Sequence, residues 1–520
     1  MKKTTSNSIK RNLITALSLM MTATMLASCG SGYDGSESRK SGSYNNERTT
    51  AENYRYSNVT AGDTDGTANI GGGYNTEEYN HLTENGYKLV SDEPLSTFST
   101  DVDTASYTNV RRMINDCWEV DPDAVRTEEF INYFKYDYEK PAEGAVSINT
   151  ELSDCPWNSE AKLMLVGLQA REAKVKDVPT NLVFLIDVSG SMEDEDKLPL
   201  VQQAFSMLAE NLGADDRVSI VTYAGSDSVV LEGESGDNSE EIVFALNSLS
   251  AGGSTAGAAG ITTTDGDLNV GLSSEEELTD LISQKRDSGV YLSVLGFGSG
   301  NYKDNRLEAL ADNGNGNYAY IDSVDEAKRV LVTEMSGTLF TVAKDAKVQI
   351  EFNPENVSAY RLVGYENRLL NDEDFEDDTK DAGDIGSGQQ VTVLYEIVPN
   401  NGNEKSLKYQ DNESKAETNE LSGEMLTVSV RYKDPEASES KLIDKSVMCS
   451  DYTEAVSQNF AKACSAAEFA MVLRNSDYAS GLTAQGVVDY MEQNNVDNSE
   501  LFELIYKYMQ NGTGSEASYW

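Results

Sequence analysis

Asp187-Val188-Ser189-Gly190-Ser191 places one carboxylate and two hydroxyls within five residues, directly after the apolar run Leu182–Ile186. Hard oxygen donors of this kind suit a divalent cation that prefers oxygen, Mg²⁺ first and Ca²⁺ or Mn²⁺ next. The run itself suits a strand buried on both faces of a parallel sheet, and ligands gather beyond the carboxyl ends of such strands. Gly190 permits the tight turn that carries the hydroxyls. Other chemistry is thin. The only histidine is His81, in a polar stretch, which removes His-based zinc sites and Ser-His-Asp or Cys-His machinery. GFGSG, ending at Gly300, lacks the Lys-Ser/Thr of a phosphate loop. Asp63-Thr-Asp65-Gly66, Glu193–Asp196, Asp312–Asn317 and the acidic loop Asn371–Asp384 read as tether, helix start, turn and solvated loop rather than as cation sites.

The elements that must position these residues follow from periodicity. Residues 180–340 alternate strand and helix. Strands are expected at Leu182–Ile186, Arg217–Tyr223, Val290–Gly296 and Tyr318–Ile321. Helices are expected at Lys197–Asn211, Ser239–Leu249, Glu275–Ser288, Arg306–Asn313 and Asp325–Phe340. That pattern predicts an α/β fold with a doubly wound, mostly parallel sheet over residues 176–341. Ala346–Phe352, Val391–Ile397 and Met425–Tyr432 then predict a β-rich, sandwich-like module over 342–450, joined by strands at Ser147–Glu151 and Lys162–Gln169. Residues 90–175 read as a helical and stranded segment, with helices at Ala105–Ile114 and Asp123–Phe134. Residues 451–512 read as C-terminal helices (453–475 and 482–510), and 513–520 as a tail.

The first residues read as an address rather than as structure. Lys2, Lys3, Lys10 and Arg11 precede the short apolar stretch Leu13–Ala27, which is too short to span a bilayer as a helix. Leu26-Ala27-Ser28-Cys29-Gly30 resembles a bacterial lipobox, which implies a signal peptide at 1–28, cleavage before Cys29 and acylation of its thiol. The polar stretch 29–89 reads as a flexible tether. The 88 acidic and 41 basic residues give a formal charge of −47, which argues against nucleic acid or anionic headgroups as the main partner. Cys117, Cys155, Cys449 and Cys464 allow three pairings, or buried thiols.

Asp187-x-Ser189-x-Ser191 at this position resembles the metal-ion-dependent adhesion site of von Willebrand factor type A domains. The family's further ligands, a threonine on a second loop and an aspartate after the fourth strand, match Thr255 in AGGSTAG and Asp265 in TTTDGD. The flanks, FSTDVDTASYTNVRRMI and AVRTEEFINYF before the domain and AYRLVGYENRLL and AEFAMVLRNS after it, resemble one group of bacterial lipoproteins over residues 90–500. The resemblance implies a cation with one coordination position open to an acidic side chain of a partner. It therefore implies a non-enzymatic binding protein of the cell envelope, anchored through Cys29, that meets a protein or matrix-like ligand. A cell-envelope assembly scaffold with an incidental metal and a Mg²⁺-dependent hydrolase are the alternatives. One departure stands out. Only ten residues separate Thr255 from Asp265, where the family places a helix and the start of a strand. From Thr255 to Ile261 the chain reaches about 20 Å at most, and a parallel crossover needs a dozen residues or more. Ile261-Thr-Thr-Thr264 is also a poor inner strand. The helix there reads as deleted and either Thr255 or Asp265 as out of place, with weakened metal affinity or an unstable domain as the expected consequence.

Overall fold

The computed structural model describes residues 18–23 by their backbone, then 77–101, 103–173, 179–224, 227–253, 275–300, 302–400 and 423–515. Cys29, the Asp63–Gly66 stretch, Thr255, Ile261–Thr264 and Asp265 lie outside them.

Asn181–Asp187 is an inner strand of a six-stranded sheet. From edge to edge the order is Asn315–Ile321, Val290–Phe297, Ser18–Ala23, Asn181–Asp187, Arg217–Tyr223 and Asp227–Ser235. All neighbours are parallel except the last hairpin. The apolar run is buried on both faces, as its composition requires. Leu182, Phe184 and Ile186 pack against Val201, Phe205 and Leu208 of the helix Leu198–Ala209, with Phe184 stacked on Phe205 at 4.4 Å between ring centroids. Leu185 joins Ile282, Leu307, Leu310 and Tyr318 on the other face. The doubly wound α/β architecture is thus present, and one of its inner strands comes from the far N-terminus.

The second unit is a sandwich of two five-stranded sheets. One runs Gly383–Gly386, Thr341–Phe352, Glu424–Lys433, Ser440–Met448, with Leu95–Ser99 also paired to Thr341–Phe352. The other runs Lys88–Leu89, Val357–Val363, Gln390–Pro399, Lys162–Ala170, Val146–Asp154. Val348, Ile350, Val393, Tyr395 and Val428 fill the space between them. The outer face of the second sheet, through Leu163, Leu165 and Leu394, is covered by a helical layer. Ala105–Asn115 and Thr127–Tyr133 enter that layer beside Gln458–Arg474, Ala484–Gln493 and Ser499–Ser515.

Several boundaries differ from the sequence reading, each for a local reason. The stretch 90–175 is divided, its helices going to the C-terminal helices and its strands to the sandwich, because neither can bury its apolar face alone. Residues 77–89, expected within the tether, are packed: Glu77 pairs with Arg112 at 2.9 Å, Glu78 with Lys303 at 2.6 Å, and the Tyr79 hydroxyl accepts from Asn109. The expected helix 325–340 is interrupted by a π turn at Arg329–Thr333, where the Arg329 guanidinium spans Glu326 and Glu334. The expected helix 482–510 is two helices, parted where Asn495 takes the left-handed conformation (φ 49°). The helix from Gln458 starts under the Ser457 side chain, which caps Phe460 N–H, and ends at Asn475 with φ 56°.

Candidate metal site

Asp187 ends its strand fully buried, and its Oδ1 accepts the backbone N–H of Ser189 at 2.7 Å. Ser189 Oγ and Ser191 Oγ lie 3.1 Å apart. Ser189 is buried and Ser191 is exposed, so the three side chains lead from the interior to the surface. The turn between them, Gly190–Met192, is pinned by the buried Met192, whose N–H donates to Ser189 O at 3.0 Å. A strand end and an apolar anchor therefore hold the hydroxyls.

The second loop is stitched to the first. Gly252 N–H donates to Val188 O at 2.7 Å, Gly190 N–H to Gly253 O at 3.1 Å, and Val188 N–H to Tyr223 O at 3.1 Å. Gly253 sits at φ +83°, and a Cβ there would stand 3.0 Å from Ala224 O, so the close approach needs a glycine. The described chain stops two residues short of Thr255. Asp187, Ser189 and Ser191 are brought together; of the expected ligand set, Thr255 and Asp265 fall outside the described residues.

The donor set fits a hard divalent cation, since it offers one carboxylate and two hydroxyls. Among the described residues no group of three or more His, Cys, Asp or Glu side chains could hold a metal. Tyr223, at the end of the adjoining strand, is a neighbour the sequence reading did not single out. Burial, and then the Asp187 carboxylate, push its phenol well up, which keeps it a neutral hydroxyl. Its signal was its place as the last residue of RVSIVTY, one strand away from Asp187. Glu193, Asp194 and Glu195 are exposed at the rim, and Asp194 pairs with Lys197 at 2.7 Å.

The remaining motifs have structural partners. His81 Nδ1 lies 2.7 Å from Asp123 in an exposed pair. The acidic loop Asn371–Asp384 is held by Lys347 Nζ, which donates to the carbonyls of Asp374 and Asp377, and by Lys433 Nζ on Asp378 O. Asp312 pairs with Arg368 at 2.8 Å. Cys117, Cys155, Cys449 and Cys464 are all free, the second and fourth buried.

The helix Asp304–Asn313 ties this domain to the rest through buried charge. Arg126 meets Asp304, Glu129 (3.1 Å) and Glu308 (2.9 Å), and Arg368 meets Asp103 (3.0 Å), Glu308 (3.3 Å) and Asp312 (2.8 Å). Burial outweighs the guanidiniums at several carboxyls, raising Glu129 to about 8 and Asp304 and Asp312 to about 6.

Comparisons with known proteins agree with this architecture. The von Willebrand factor type A domain family matches residues 182–269 and again 261–320, a von Willebrand factor family matches 73–165, and the family "Uncharacterized protein YfbK, C-terminal" matches 337–510. The chain is 38% identical to "Uncharacterized protein YfbK" of Escherichia coli strain K12 over 450 residues, 80% of this chain and 78% of that one. It is 28% identical to "Uncharacterized protein sll0103" of Synechocystis over 219 residues, 38% of this chain and 50% of that one. Among solved structures, a von Willebrand factor type A protein from Catenulispora acidiphila is similar at a TM-score of 0.39 and 14% identity, over 70% of this chain and 89% of that one. With its sheet, its first metal loop and its C-terminal module all accounted for, the chain belongs to the YfbK family of proteins with a von Willebrand factor type A domain.

Proposed function

We propose that this protein is a lipid-anchored binding protein of the bacterial cell envelope whose type A domain recognises an acidic group of a protein or matrix-like partner through a bound divalent cation. Asp187, Ser189 and Ser191 hold the cation, with Thr255 and Asp265 completing the set, and Mg²⁺ is the first choice before Ca²⁺ or Mn²⁺. The observation that carries this reading is the convergence of Asp187, Ser189 and Ser191 where the first loop is bonded to Gly252 and Gly253. Neutral hydroxyls leave a divalent cation under-neutralised, and a partner's carboxylate supplies the missing charge. The net charge of −47 adds a second reason for a cation bridge, because a chain this acidic repels an acidic partner without one. Acylated Cys29 supplies the anchor. No catalytic step is assigned.

The test is capture of envelope proteins on the immobilised chain. Retention in Mg²⁺, release by EDTA and loss in Asp187→Ala are the expected results. Capture indifferent to both EDTA and the substitution would leave the metal incidental and favour an assembly scaffold. Mass spectrometry of the chain from its host checks the anchor: a diacyl or triacyl Cys29 N-terminus is expected, and an unmodified Cys29 contradicts it.

A further inference from the structure

A cavity of about 330 Å³ opens where the type A domain rests on the sandwich, and no residue of the Asp187–Ser191 loop lines it. That volume lies at the small end of pockets that hold organic molecules, roughly 300–1,000 Å³. One wall is acidic. It brings together Asp101, which follows the strand Leu95–Ser99, Asp312 of the helix Asp304–Asn313, and Asp384 of the strand Gly383–Gly386. A second cavity, of about 190 Å³, shares the same three residues. The cations around this wall are engaged elsewhere: Arg368 meets Asp103 and Asp312, Arg286 meets Asp381, and Lys433 meets Asp345. Among the described residues Asp101 and Asp384 form no ion pair. Asp101 Oδ2 accepts the Ser99 hydroxyl at 2.9 Å, and Asp384 Oδ1 accepts the Asp345 N–H at 3.2 Å. Asp384 Oδ2 is shut off from solvent and has no hydrogen-bond partner among the described residues. A carboxylate oxygen buried without a partner is costly, so the wall is short of one donor that carries positive charge.

The rest of the lining says what kind of donor fits. Asn317 Nδ2 donates to Thr338 Oγ1 at 3.4 Å, which leaves the Asn317 carbonyl oxygen as a further acceptor on the lining. Leu295, Ala319 and Val330 add an aliphatic surface to the same cavity. We propose that this cavity binds a small primary alkylammonium ion, its head between Asp101 and Asp384 and its chain against Leu295, Ala319 and Val330. An ammonium carries three N–H donors and no acceptor, which matches a wall of carboxylates and an amide oxygen. Burial, with the charge of Asp101 behind it, pushes the Asp384 carboxyl up to about 7 although the Asp345 N–H holds it down. A proton would neutralise that one group, but it would leave Asp101 unanswered and the cavity empty. Because Asp312 belongs to the type A domain and Asp384 to the sandwich, a bound ammonium joins the two units. The site stands independently of the metal loop and of the Cys29 anchor.

The experiment is a calorimetric titration of the full chain with n-butylammonium chloride, in EDTA and at constant ionic strength. Potassium chloride and butan-1-ol are the controls, the first for charge and the second for the alkyl chain. Saturable uptake of one n-butylammonium per chain is expected, with neither control reproducing it. Asp384→Asn keeps the shape of the side chain and removes its charge, and it is expected to weaken binding by at least about tenfold, the scale of one hydrogen bond to a charged group. Asp101→Asn is the second variant and decides in the same way should Asp384→Asn not fold. Absence of saturable uptake, uptake matched by either control, or unchanged affinity in the folded variant overturns the proposal and leaves Asp384 to be neutralised by a proton alone. EDTA keeps divalent cations out of the titration, so the outcome is separate from that of the metal reading.

Discussion

The type A domain handles buried carboxylates in two ways, at two places in its structure. Along the helix Asp304–Asn313, Asp304, Glu308 and Asp312 are answered by guanidiniums that reach in from other parts of the chain, Arg126 and Arg368. At the end of the strand Asn181–Asp187, Asp187 accepts a backbone N–H from Ser189, whose hydroxyl meets that of Ser191, and it acts on the buried Tyr223. A guanidinium is a permanent partner, and it fastens the domain to the helical layer. Hydroxyls carry no charge, so a cation from solution completes them in our reading. The helical layer shows a third answer at Glu468, buried at 2% exposure, whose Oε2 has no hydrogen-bond partner among the described residues. Burial alone pushes its carboxyl up to about 8, so a proton neutralises it. Partner, cation and proton are three solutions to the same cost of burying charge.

Removing the permanent partner should have the largest effect. Arg126→Ala leaves Asp304, Glu129 and Glu308 facing one another in the interior, and breaking a buried pair on one side costs about 3–5 kcal/mol. Chemical denaturation is the measurement; a loss under about 1 kcal/mol would show that protons replace the guanidinium at little cost.

The proton answer gives a pH dependence whose sign is fixed. Glu468 has a folded value near 8, above the unfolded value of 4.5. Between those limits the folded state binds more protons than the unfolded state, so stability falls as pH rises, by up to about 1.4 kcal/mol per unit for one group. Glu468→Gln should flatten this slope between about pH 5 and 8 and leave the protein more stable than wild type at the upper end. An unchanged slope would assign the titration to other carboxyls, such as Glu129.

The smallest effect belongs to the hydroxyls. Ser189→Ala should leave the apo protein's stability nearly unchanged while weakening Mg²⁺ binding by at least the roughly tenfold that loss of a supporting contact costs. A calorimetric titration reads it. Equal affinity in both proteins would take Ser189 out of the ligand set.

What the sequence disclosed follows the same division between local and distant causes. Leu182–Ile186 was legible as an inner strand because both of its faces are apolar, and Asp187-x-Ser189-x-Ser191 because the donors are adjacent in the chain. The alternation over 180–340 announced the sheet for the same reason. Pairings across long separations were not legible: Glu77 with Arg112, Arg126 with Asp304, and the helices at 105–133 with those at 458–515 join stretches whose local patterns carry no trace of one another. The shortened segment after Thr255 was visible as a missing helix, but nothing local pointed to Ser18–Ala23 as the segment beside Asn181–Asp187. Asn495 and the π turn at Arg329 broke helices whose apolar period continued through them.

The cation reading is tested most directly by the melting temperature of the metal-stripped chain as Mg²⁺, Mn²⁺ or Ca²⁺ is added, in wild type and in Asp187→Ala. A specific site stabilises the folded state by mass action, about 2.7 kcal/mol when the free cation is a hundred times its Kd. The account predicts a saturable rise in wild type and none in Asp187→Ala. Superimposable curves for the two proteins, whether flat or rising, would contradict it.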